Sequence, residues 1–148
     1  MLPAGAAWAA STCASPIENA GLQARVLQTE LMVAALTCRQ KDKYNSFVKK
    51  FSKELVGQSS NMQNYFKRAH GSRATQELNA LVTNLANEAS QRVLQYRGDY
   101  CSDAAMLFDA VLAAAPKDLV AFAASRPYAN EHGIQVCQMT AKQTAPGS

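Results

Sequence analysis

Nine basic residues crowd into one stretch of the chain: Arg39, Lys41, Lys43, Lys49, Lys50, Lys53, Lys67, Arg68 and Arg73. Only Asp42 and Glu54 oppose them, so this arm carries +7 while the remainder carries −3, together giving the chain's +4. Tyr44, Phe47, Phe51, Tyr65 and Phe66 interleave with the cations. A basic, amphipathic, aromatic segment suits an acidic protein face, an anionic envelope component such as a glycan, or a lipid headgroup met by peripheral membrane contact. Lys49, Lys50, Lys53, Lys67 and Arg68 are the binding candidates. The same spacing also describes an ordinary helix with aromatics in the core and lysines in water. Nucleic acid is not expected as the partner, because no DNA- or RNA-binding motif accompanies the charge.

Other chemistries find less support. The two histidines, His70 and His132, form no HExxH or comparable pair, so no metal site is expected. No G-x-S-x-G motif and no glycine-rich phosphate loop occur, and no residue set points to a cofactor. Asp99 with Asp103, or Glu77 with Glu88, could pair as carboxylates, but Asp99 reads as a helix cap and the glutamates as a polar face. A non-enzymatic binding role is therefore favoured. One alternative is a small-molecule or lipid-chain binder with a cavity among Phe47, Phe51, Met62 and Phe66. Another is an enzyme acting on envelope polysaccharide, which needs a cleft with two facing carboxylates.

The elements that must position these residues are helical. Glycine and proline are scarce, β-branched residues are thin, and alanine, leucine, glutamine and lysine dominate. The best-signed element begins at Ser15, with Pro16 at the first helical position and Glu18 completing a capping box. Ala20, Ala24, Leu27, Leu31, Ala34 and Cys38 line one of its faces, and from Leu31 to Leu36 it is apolar all round. That apolar run is much shorter than the roughly 20 residues a bilayer requires.

A second helix is expected over about 42–56, ended by Gly57 as C-cap, and a third, capped by Ser59 or Ser60, reaches Gly71. A fourth, opened by Ser72, covers about 73–97. A fifth, capped by Asp99, runs to about Ala114 ahead of Pro116, and a short sixth spans Asp118 to Ala124. The second and third are each short but together match the others in length. The expected fold is therefore all-α: a disulfide-stapled up-down bundle of four main arms, the second broken at Gly57, plus a short C-terminal helix. Residues 1–14 form an irregular N-terminal segment, 15–125 the bundle, and 126–148 an irregular tail tied down by Cys137.

Four cysteines, Cys13, Cys38, Cys101 and Cys137, are widely spaced and contain no CxxC. They suggest two disulfides and an oxidising compartment. Cys13 and Cys38 flank the first helix and lie roughly 35 Å apart at 1.5 Å per residue, so they cannot bond. An unbroken direction through the second arm favours Cys38–Cys101 and Cys13–Cys137; antiparallel short helices would instead give Cys13–Cys101 and Cys38–Cys137. The opening MLPAGAAWAA, with Ala7 and Ala9 in an A-x-A arrangement, reads as a signal-peptide remnant. With the cysteines, it places the protein in the periplasm or outside the cell. No N-x-S/T acceptor argues for a eukaryotic secretory source.

Overall fold

The computed structural model describes residues 12–137. Its helices are α1 (Pro16–Cys38), α2 (Lys41–Lys50), α3 (Ser52–His70), α4 (Ala74–Gln95), α5 (Tyr100–Ala113) and α6 (Leu119–Ala124). Single 3-10 turns, Gly71–Arg73 and Pro116–Asp118, precede α4 and α6. Among the described residues there is no strand, only an isolated parallel bridge between Ala14 and Val136. The signal-remnant reading of residues 1–10 and the end of the tail lie outside the described residues.

The all-α, disulfide-stapled bundle expected from the sequence is what the chain forms. α1 is its axis and packs against all five other helices. Its start is the capping box: the Glu18 N–H donates to Ser15 Oγ (3.2 Å), and the Ser15 N–H donates to Glu18 Oε1 (2.9 Å). Ten residues of α1, from Gly21 to Ala35, are buried. The apolar girth is not complete, however: among the described residues Met32 is 36 % and Leu36 65 % exposed, one turn apart on the same face.

Both cystines form with the favoured pairing. Cys38–Cys101 joins the end of α1 to the start of α5 with Cα atoms 5.5 Å apart, and Cys13–Cys137 ties the opposite end with a Cα separation of 5.0 Å. The second, together with the bridge hydrogen bonds from Ala14 N to Gln135 O and from Cys137 N to Ala14 O (both 2.8 Å), clamps the C-terminal segment beside the start of α1.

The break in the second arm is at Phe51, not at Gly57. Phe51 closes α2 and opens α3 with φ −102° and ψ 18°, whereas Gly57, Ser59 and Ser60 all lie inside α3. The reason is a change of packing partner. α2 packs against α1 and α5, and α3 against α1 and α4. Bending at Phe51 lets Phe47 and Phe51 both bury completely, 5.3 Å apart between ring centroids. They join Leu27, Leu31, Phe108, Val111 and Leu119 in one cluster. Beyond the bend, Met62, Tyr65 and Phe66 form a second cluster with Leu22 and Ala14. Burial of this size outweighs the roughly 1 kcal/mol that an interior glycine costs a helix.

The glycine that matters is in α1. A Cβ on Gly21 would stand 2.5 Å from Gln58 O and 2.7 Å from Met62 N, both α3 backbone, whereas one on Gly57 would meet nothing within 4 Å. Gly21 is thus what allows α1 and α3 to approach so closely. Ser72 does not cap α4. It sits in the 3-10 turn, entered through Gly71 at φ +56°, and α4 starts at Ala74 without a side-chain cap. Asp99 does cap α5, accepting from the Ser102 N–H at 3.0 Å.

Candidate functional site

The five sequence candidates do not behave as one set. Lys49 is on α2, with Lys53 near the start of α3 and Lys67 near its end; all three are exposed, and no ion pair engages them among the described residues. Lys53 and Lys67 are fourteen positions apart, which puts them on similar sides of α3 but about 21 Å from one another. Lys50 is exposed too, yet its Nζ donates to the Leu112 carbonyl on α5 (2.6 Å) and lies 5.6 Å from the Phe51 ring centroid.

Arg68 is a structural residue. Its guanidinium donates to both Glu18 oxygens (2.6 and 3.1 Å) and to the Cys13 carbonyl (2.7 Å), and it lies 5.6 Å from the Tyr65 ring centroid. It fastens α3 to the capping box of α1 and to the segment carrying the Cys13 cystine. Its hydrogen bond holds the Glu18 carboxyl below the usual range, against the opposing effect of burial. Tyr65 works beside it, donating to the Thr12 carbonyl at 2.8 Å, and burial raises its phenol pKa.

Across the whole basic arm, Lys43 pairs with Asp109 (3.5 Å), Arg68 with Glu18 and Arg73 with Glu77 (3.1 Å). The other six have no carboxylate partner within 4 Å among the described residues. Five of these, Arg39, Lys41, Lys49, Lys50 and Lys53, are concentrated from the end of α1 to the start of α3. These five exposed cations run from the end of α1 through α2 to the start of α3, the α1–α2–α3 corner, with Lys67 separate from them.

The cavity imagined among Phe47, Phe51, Met62 and Phe66 is not where the helices part. Those four side chains are packed into the two core clusters. A cleft of about 220 Å³ lies elsewhere, between α1, α4, α5 and the loop after α6. Tyr96, Tyr100 and Tyr128 line it, with Glu30, Arg92, Asp103 and Arg126. The Tyr96 and Tyr100 rings meet edge to face at 5.4 Å. The Arg92 guanidinium lies 4.0 Å from the Tyr128 ring centroid, a close cation–π contact.

No family model, curated protein or solved structure matches this chain.

Polar ties fix the cleft wall. Arg126 donates to both Glu30 oxygens (2.8 and 3.3 Å), Arg92 to Glu131 (2.6 Å) and Gln23 to Asn130 (2.9 Å). These bonds run from the loop to α1 and α4, and Ala129 and His132 are buried beneath it. The Tyr96 hydroxyl donates to Asp103, and that bond raises the Tyr96 pKa; burial, then the charge of Glu30, raises that of Tyr100. The suggested carboxylate pairs are separated in role: Asp99 caps α5, Asp103 accepts from Tyr96, Glu77 pairs with Arg73, and Glu88 is exposed. Among the described residues, no three metal-ligating side chains come together.

The cleft residues were not legible as a site. Glu30, Arg92, Asp103 and Arg126 come from three helices and a loop. The one local signal is the pair of tyrosines in YRGDY, Tyr96 to Tyr100, bracketing the α4–α5 turn.

Proposed function

We propose that this chain is a non-enzymatic binding protein of the periplasm or the extracellular space, and that its α1–α2–α3 corner contacts an acidic partner. The observation carrying this reading is the uneven pairing of charge: six of the arm's nine cations face no carboxylate among the described residues, and five of the six lie in the run from Arg39 to Lys53. Two disulfides support an oxidising compartment. No helix among the described residues is long and apolar enough to cross a membrane, so membrane contact through these helices would be peripheral. Arg68 leaves the contact set because it holds the fold together, and Lys50 is secondary because it is anchored to α5.

The test is salt-dependent retention of the oxidised protein on a sulfated polysaccharide and on vesicles containing phosphatidylglycerol. Charge reversal at Lys49 and Lys53 together removes two contacts of about 1 kcal/mol each at close range in water and introduces repulsion. Binding should weaken on the order of 100-fold at low salt, with the melting temperature unchanged. Retention equal to wild type on both matrices would refute the assignment of this corner.

A further inference from the structure

We propose that the tyrosine-lined cleft between α1, α4 and α5 binds a single ring of a neutral sugar, independently of the basic corner. Size sets the first limit. At about 220 Å³ the cleft is smaller than the roughly 300–1,000 Å³ of drug-sized pockets and admits about one six-membered ring with its substituents.

Charge sets the second. Glu30 and Asp103 contribute two negative charges to the lining, Arg92 and Arg126 two positive ones. Arg126 and Glu30 satisfy each other, and Arg92 is paired with Glu131. A cationic ligand would be desolvated beside two guanidinium groups, and the one lining carboxylate without a cationic partner among the described residues, Asp103, already accepts from the Tyr96 hydroxyl. An anionic one would meet two carboxylates, while both guanidinium groups are already committed to glutamates. A neutral ligand avoids both penalties.

The surface chemistry selects among neutral ligands. The three tyrosines bring ring carbons and hydroxyl tips to the lining, with one face of Tyr128 covered by Arg92 and the Tyr96 and Tyr100 rings packed edge to face, a mixed surface matching a ring with C–H groups on one face and hydroxyls at its edge. The carboxylates keep unused lone pairs and the guanidinium groups have further N–H donors, so neighbouring hydroxyls can donate and accept at once. A purely hydrocarbon ligand would leave this polar rim unsatisfied. The wall also exists before binding, because Arg126–Glu30, Arg92–Glu131 and Gln23–Asn130 already hold the loop in place. Little ordering is then left to oppose a small ligand.

The cleft continues along α5. A second depression shares Asp103, Leu107 and Arg126 with it and runs along α5 to Phe122 and the exposed Met106. A second linked ring would leave by this path, so the ring can belong to a free sugar or to the end of a glycan chain.

The experiment titrates the full oxidised chain with methyl glycosides of glucose, galactose and N-acetylglucosamine, and with linear trisaccharides of the same sugars, following tyrosine ring signals by NMR. At least one methyl glycoside should shift the Tyr96, Tyr100 and Tyr128 signals with a dissociation constant on the order of millimolar. A trisaccharide binding about tenfold tighter assigns the site to chain ends; equal affinity assigns it to free sugars. Tyr128→Ala, on an exposed part of the loop, should weaken binding at least tenfold while the backbone spectrum away from the loop stays unchanged. Choline and benzoate serve as cationic and anionic probes. The proposal is overturned if either binds tighter than every glycoside, if Tyr128→Ala binds the glycosides as wild type does, or if no glycoside shifts these signals at about ten times the expected constant.

Discussion

Replacing glycine by alanine should have opposite signs at two helix-interior positions, Gly21 and Gly57. Intrinsic helix propensity favours alanine at both by about 1 kcal/mol. At Gly57 nothing lies within 4 Å of the new methyl group, so most of that gain should appear as about 0.5–1 kcal/mol of added stability. At Gly21 the methyl would be 2.5 Å from Gln58 O and 2.7 Å from Met62 N. Non-bonded contacts are comfortable at about 3.5–4 Å, so α3 must retreat by about 1 Å along the turn from Gln58 to Met62. A gap of that size forfeits a quarter to a half of the dispersion energy where Leu22, Met62, Tyr65 and Phe66 interlock. Overpacking costs about 1–3 kcal/mol, and because both obstructing atoms are backbone the upper end applies, leaving a net loss of about 2 kcal/mol after the propensity gain of about 1 kcal/mol. Thermal and urea unfolding of the oxidised protein, followed by circular dichroism, would read this as a fall of about 4–8 °C for Gly21→Ala and a rise of about 2–3 °C for Gly57→Ala. The Gly57 result also locates the bend, since a left-handed cap at Gly57 would make alanine destabilising there. A Gly21→Ala protein as stable as wild type would refute the close approach of α1 and α3.

Three further outcomes follow from buried polar groups and covalent ties. His132 is buried, its Nδ1 accepts from the Ile134 N–H (3.0 Å), and burial lowers its pKa below the ordinary 6.5. The unfolded chain therefore takes up a proton first, and stability falls as pH drops below about 6.5, with a slope approaching 1.4 kcal/mol per pH unit. His132→Asn keeps an acceptor near Nδ1 and should flatten that slope in urea titrations at several pH values; an unchanged slope would assign it to another group. Arg68→Ala should cost about 1 kcal/mol, discounted because its side chain is 39 % exposed, and a larger loss at pH 4 than at pH 7 would contradict the pairing. Glu18 has a depressed folded-state pKa, so its contribution is present above the ordinary 4.5 and vanishes as pH falls through the folded value. Each cystine should contribute about 4 kcal/mol. The outer loop of 124 residues is shortened to 61 by the inner bridge of 63, which leaves two rings of nearly equal size. Cys38→Ser/Cys101→Ser and Cys13→Ser/Cys137→Ser should therefore lower urea midpoints by similar amounts; a severalfold difference would count against the ring-closure account.

The fold was legible wherever a local signal and a tertiary requirement coincided. Ser15, Pro16 and Glu18 specify the start of α1 through bonds made within four residues. The length of α1 alone excludes Cys13–Cys38, because a rigid rod of known rise separates them; the choice between the two remaining pairings rests on the second arm keeping one direction through its break, and the favoured pairing is the one formed. The bend at Phe51 was not legible, since no residue there favours breaking a helix. Phe47 and Phe51 keep helical spacing, and only the switch from α5 to α4 as neighbour demands the bend. Gly57 supplied a local signal without a tertiary need and was overridden. Gly21 carried the tertiary need inside a strong helical pattern, where a single glycine reads as neutral.

Charge shows the same division at the level of the candidate sites. The basic arm was visible because its cations are close in sequence, but sequence proximity says nothing about which carboxylate each one reaches. Folding removes Arg68 from the set by bringing Glu18, fifty residues earlier, within 2.6 Å, and it anchors Lys50 to Leu112, sixty-two residues later. The cleft inverts the case. Glu30 and Arg126 are ninety-six residues apart, Arg92 and Glu131 thirty-nine, and no spacing rule connects them. Long-range pairs of this kind cancel charge and fix a wall, so composition registers them as nothing. The sequence therefore advertises the surface with the most unpaired charge and conceals the cleft, where both guanidinium groups are paired with glutamates and Asp103 is held by the Tyr96 hydroxyl. Such a cleft suits a neutral ligand, so a search guided by net charge alone would pass over it.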